Sequence, residues 1–126
     1  MVRDVPISAR ATPAGLLHVL PAEPGLRVTL LLRVPSGACP VSGNPLLGAL
    51  RLSYVTAEAT LEVVSLRRRL HQLASGGAES AGGLERLCAQ AAREVADAIG
   101  APVCAVLWAV VRPGLMLVRV TAEIEP

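Results

Sequence analysis

The chain of 126 residues contains no lysine and no phenylalanine. Without lysine there is neither a Schiff-base amine nor the lysine of a phosphate-binding P-loop. Tyr54 and Trp108 are the only aromatics, too few for a surface that stacks successive bases. Cysteine is sparse as well. Cys39, Cys88 and Cys104 are odd in number and widely spaced, so neither a disulfide framework nor a zinc site is indicated. His18 and His71 stand far from any partner at metal-ligand spacing, and no metal is expected. No apolar run reaches the length of a membrane span. Met1 to Arg10 carries Asp4 and Pro6 and has no apolar signal region. The expected setting is therefore cytoplasmic, with no membrane partner. A net charge of +2 is too small to point to nucleic acid.

What is present is a large apolar fraction, 52%, mostly Leu, Val and Ala. That fraction suits one folded domain over 1–126, with 1–12 a loosely ordered N-terminal segment. Leu26, Val28, Leu30, Leu32 and Val34 alternate with Arg27, Thr29 and Arg33, the period of a half-buried strand. A shorter strand is expected near Leu16 to Leu20, before a turn at Pro21, Pro24 and Gly25. Pro35 to Pro45 reads as an irregular loop because it holds three prolines. A second strand follows through Leu50, Leu52 and Tyr54, and Ala59 to Val64 extends it or prepares the next element. Ser65 can cap a short helix reaching Leu73, with Arg67, Arg68 and Arg69 inside it. Ala74 to Gly83 is a glycine-rich connection. In Leu84 to Ile99, Leu84, Leu87, Cys88, Ala91, Val95, Ala98 and Ile99 recur at spacings of three and four, an amphipathic helix. Gly100 ends it and Pro102 follows. Val103 to Val111 and Leu115 to Ile124 form a closing hairpin about Arg112-Pro113-Gly114. Two strands, two helices and two strands give an α+β unit. Its four-stranded antiparallel sheet carries both helices on one face, and the other face awaits a partner chain.

Two residues stand out chemically. Cys39 lies in the loop between strands, where reactive groups tend to be placed, and a thiolate there needs backbone donors or cations beside it. A single cysteine is nonetheless more often packed than reactive, as Cys88 and Cys104 are expected to be. Glu85 sits in the first turn of the long helix. There a carboxylate either complements the helix dipole or accepts paired N–H groups from a guanine-like base. The run Arg67 to Arg69 is either a solvated face or a phosphate contact.

The stretch Cys39 to Val55, CPVSGNPLLGALRLSYV, resembles the active-site segment of the 7-cyano-7-deazaguanine nitrile reductases. Cys39, Pro40, Ser42, Gly43, Asn44, Pro45, Ser53 and Tyr54 match it without a gap. Glu62, Ser65 and Leu66 resemble the family's next motif, and Glu85 falls where the family has its base-binding glutamate. The resemblance runs from Cys39 to about Ile99. It implies the tunnelling fold, ββααββ, assembled into rings of β-barrels with active sites between subunits. It also implies that Cys39 adds to the nitrile carbon and forms a thioimide, while Glu85, Ser65 and Glu62 contribute to substrate binding. Four positions depart from the pattern. Leu46 replaces the proton-donating aspartate, Leu84 replaces a histidine, and Val64 and Arg67 replace the lysines of the cofactor motif. No cofactor is firmly implied, with NADPH expected only of a reductase. The short length and missing cofactor motif resemble the archaeal amidinotransferases, which convert the nitrile, already in transfer RNA, to an amidine. Amidination is therefore favoured over reduction, and the substrate is the free base or transfer RNA. The competing readings are a purine- or pterin-binding protein of the same fold without turnover, and another tunnelling-fold chemistry of pterin or GTP metabolism.

Overall fold

The structure is a computed structural model that describes residues 17–38, 45–74, 83–111 and 116–126. The N-terminal segment, Cys39 to Asn44, most of the glycine-rich connection and the Arg112-Pro113-Gly114 turn lie outside the described residues. The elements run β1 (Val19–Pro21), β2 (Arg27–Ala38), β3 (Pro45–Val55), β4 (Ala59–Leu61), α1 (Val63–Ala74), α2 (Leu84–Ile99), β5 (Val103–Val111) and β6 (Met116–Ile124). β2-β3-β5-β6 form one antiparallel sheet, and β1 pairs with β4 in a separate ribbon.

Alternation decides which face of the large sheet is dry. Leu32, Val34, Leu50, Leu52, Tyr54, Val103, Ala105 and Leu107 are buried under the helices. Their neighbours Arg27, Thr29, Leu31, Arg33 and Arg51 point the other way and are exposed. α1 packs on β2, and α2 packs on β5 and β6. The expected two-layer unit with both helices on one face is thus present.

α2 forms because Leu87, Cys88, Ala91, Ala92, Val95, Ala96, Ala98 and Ile99 make one apolar face, all of it buried. It stops at Gly100, whose φ of 69° is left-handed and whose N–H bonds the Ala96 carbonyl at 2.9 Å. The two helices are tied together by a fork. Nε and Nη2 of buried Arg69 donate to the Glu94 carboxylate at 2.8 and 2.9 Å. The middle arginine run therefore divides: Arg69 is structural, while Arg67 and Arg68 face solvent.

The sequence pattern misplaces three features. Pro35 to Ala38 belong to β2 and Pro45 opens β3, so both ends of the expected loop are strand. Proline is tolerated because β2 is an edge strand and the register shifts between Val34 and Gly37. A bulge at an edge needs no ladder N–H from Pro35. Ser65 is not the cap of α1. Glu62 holds that place: its carboxylate accepts the N–H groups of Val64 at 2.7 Å and Ser65 at 2.9 Å. Cys104, expected in the core, sits half-buried on the sheet face away from the helices, because it alternates with Val103 and Ala105.

Candidate functional site

The backbone around Cys39 is fixed on both sides. Ala38 pairs with Pro45, Gly37 pairs with Leu46, and Leu46 pairs in turn with Val111. Cys39 itself lies outside the described residues. β2 ends at Ala38 and β3 begins at Pro45, so a strand stands on each side of its segment. Leu46 occupies a strand position one residue inside that anchor, in the second strand of the sheet.

Glu85 lies on the first turn of α2 and is exposed. The helix begins at Gly83 without a side-chain cap, so its first N–H groups leave the positive end of the dipole open beside the carboxylate. Among the described residues no group pairs with Glu85. The carboxylate is therefore available to a ligand.

Glu62 and Ser65 are occupied by local structure. The Ser65 hydroxyl donates to the Glu62 carbonyl at 2.9 Å and accepts the His18 N–H at 3.0 Å. Glu62 N–H in turn bonds the His18 carbonyl at 2.9 Å. These contacts fasten the β1 region to the start of α1. The backbone N–H groups of Val64 and Ser65 hold the Glu62 carboxyl below its ordinary value, so it stays charged. Ser65 is buried and Glu62 half-buried.

Of the other cysteines, Cys88 is fully buried on α2, with its Sγ 3.7 Å from the carbonyls of Ala105 and Val120. Burial pushes its thiol up, the opposite of what a nucleophile needs. Among the described residues no group of three His, Cys, Asp or Glu side chains is placed to hold a metal ion. No helix of the described residues is long and apolar enough to cross a membrane.

The Cys39 anchors belong to β2 and β3, on one side of the sheet. α2 lies over β5 and β6, and Cys88, one turn beyond Glu85, touches those two strands. β3 and β5 are neighbouring strands about 4.8 Å apart, and Leu46, next to the Pro45 anchor, pairs with Val111 of β5.

Two open depressions flank the sheet. One, about 750 Å³, lies between the β2 edge and α1 and is lined by Leu31, Arg33, Val63, Val64, Arg67, Arg68 and His71 among others. The second, about 620 Å³, lies on the uncovered face and includes Arg27, Thr29, Ser53, Cys104 and Glu123. Sequence reasoning missed the arginines that share this uncovered face. Their alternation along each strand was visible, but the cross-strand register that groups them was not.

A four-stranded antiparallel sheet interrupted by two helices, both on one face, defines the class: the chain has the tunnelling fold. One solved structure that it resembles is described as the archaeosine synthase QueF-Like in the apo form. The match has a TM-score of 0.61 and covers 83% of this chain and 97% of that one, at 16% identity. No protein-family model matches the sequence, and no curated protein matches it. At that identity the likeness establishes the fold alone.

Proposed function

We propose that the chain processes the nitrile of a 7-cyano-7-deazaguanine, with Cys39 as the attacking thiol. The observation that carries this reading is a conjunction. The fold is shared, nearly end to end, with an archaeosine synthase QueF-Like protein. The Cys-Pro-Val-Ser-Gly-Asn-Pro run, which resembles the active-site segment of nitrile-processing enzymes, lies between the paired residues Ala38 and Pro45 and includes the latter.

The Cys39 thiolate adds to the nitrile carbon, and the nitrile nitrogen takes a proton, giving a thioimide. Ammonia or an amine then adds to the same carbon, and the sulfur leaves as the thiol, giving an amidine. We favour this amidination over reduction by NADPH, because Val64 and Arg67 stand where the reductases have lysines. Glu85 accepts the N–H groups of the pyrimidine edge. The resemblance to the tunnelling-fold enzymes supports a complete site formed between two copies of the chain.

A second reading has a specific basis: Leu46 stands where a proton-donating aspartate is expected, and a leucine transfers no proton. On that reading the protein binds a purine or pterin through Glu85 and turns nothing over. Incubation with 7-cyano-7-deazaguanine followed by intact-mass measurement separates the two. A covalent adduct that disappears in Cys39→Ala supports the enzyme. An adduct that survives Cys39→Ala assigns the wrong nucleophile. Reversible binding without an adduct supports the binding protein.

A further inference from the structure

The uncovered sheet face has an internal order that the proposed chemistry does not use. Cross-strand pairing places Arg33, Ala49, Trp108 and Arg119 in one row across all four strands. Leu31, Arg51, Val106 and Thr121 form the adjoining row. The Arg51 guanidinium lies over the Trp108 ring, 5.3 Å from its centroid. Arg33, Arg51 and Arg119 are all exposed.

These two rows hold three guanidinium groups and no carboxylate. Among the described residues none of the three arginines has a salt-bridge partner. Arg33 and Arg119 are three strand spacings apart, roughly 14 Å at the backbone. Their side chains are long enough to reach inward from opposite edges, over a floor that includes the small side chain of Ala49. Arg51, held by Trp108, stands beside that floor. The carboxylate of that face, Glu123, lies one row further on beside Cys104; the three exposed arginines repel one another weakly, and a multivalent anion between them removes that cost. Arginine forks match the oxygens of a tetrahedral oxyanion in geometry as well as charge.

We propose that this face binds a phosphate group through Arg33, Arg51 and Arg119. The site is separate from Cys39 and does not rest on the nitrile chemistry. It takes a free phosphate or the phosphate of a larger molecule such as RNA. Trp108 is the only tryptophan in the chain, so its emission reports on the group that covers it.

The test titrates inorganic phosphate into the full chain and follows Trp108 fluorescence, with sodium chloride at matched ionic strength as the reference. Calorimetry reads the same binding should the emission prove insensitive. Saturable binding of phosphate and not of chloride is expected. Arg33→Gln and Arg119→Gln should each weaken it on the order of tenfold, since both replace charged donors and leave Arg51 on its ring. Arg27→Gln should leave it unchanged, because Arg27 lies six residues, about 20 Å, from Arg33 along the strand. A labelled RNA hairpin that competes with phosphate identifies a nucleic-acid source, and one that does not compete identifies a free phosphate. The proposal is overturned by the absence of saturable phosphate binding in both measurements, or by binding that neither substitution weakens.

Discussion

Glu85 is exposed, unpaired among the described residues, and set on the open N-terminal turn of a helix. No contact among the described residues uses its charge, which distinguishes it from Glu62 and Glu94. In the assembled site its carboxylate would accept two N–H groups from the base. Charged hydrogen bonds of that kind contribute on the order of 1.5–3 kcal/mol each when water is excluded. Glu85→Ala should therefore weaken binding of 7-cyano-7-deazaguanine at least about tenfold, the factor that about 1.4 kcal/mol represents. Equilibrium binding to the purified variant checks this, and unchanged affinity would remove Glu85 from the pocket.

Leu46 tests the chemistry from the other side. A positioned acid typically accelerates a step by roughly 10²–10⁴-fold. Leu46→Asp should raise the rate of adduct formation by a factor in that range, read by time-resolved intact mass. A folded Leu46→Asp protein whose rate equals the parent's would mean that another group already supplies the proton.

The elements bear different loads. α1 is held at its start by Glu62 and Ser65 and at its middle by Arg69. Arg69 is the only charged residue among the buried described side chains, and its partner Glu94 retains 20% of its exposure. Removing one member of such a pair leaves a largely desolvated charge behind. Arg69→Ala should destabilise the fold by about 3 kcal/mol, the low end for a buried pair because Glu94 is still partly wet. Thermal unfolding should show a Tm lowered by roughly 10 °C. The double variant Arg69→Met with Glu94→Leu should recover most of the loss, since two apolar groups leave no orphan charge. Failure of the double variant to recover would mean that the fork also orients the helices.

At the scale of the whole molecule, β2 and β6 are the edges of the large sheet, with nine residues or more in each. Long open edges of this kind offer unpaired backbone groups to another strand. Exposed apolar side chains gather at the β2 edge: Leu31 is 71% exposed, with Val63 at 44% and Val64 at 59% at the start of α1. The uncovered face itself is not the continuous apolar surface that the Val and Leu content suggested, because arginines alternate through it. We propose the β2–α1 margin as the driving area for association. We expect a homo-oligomer with sites between copies, and sedimentation at low protein concentration should show no stable monomer. A Leu31→Glu variant should shift the population toward monomer and reduce adduct formation together, since the site needs two copies. A monomer that forms the adduct at full rate would refute the shared site.

Periodicity alone determined the helix over Leu84 to Ile99, its stop at Gly100 and the alternating strands, because each follows from contacts within a few residues. The gap-free resemblance from Cys39 to Tyr54, with its one departure at Leu46, likewise pointed to the fold and to Cys39 from the chain itself. Other features depended on residues far apart in sequence. Pro35 reads as a breaker until the strand order makes β2 an edge and the shift at Val34 makes room for it. Ser65 and Glu62 exchange the capping role because the His18 backbone, 47 positions from Ser65, claims the serine hydroxyl. Arg67, Arg68 and Arg69 look alike in the sequence, and only the packing of α1 against α2 turns Arg69 inward to Glu94. Arg33, Arg51 and Arg119 become neighbours only through strand register, which long-range hydrogen bonding sets and local pattern does not encode.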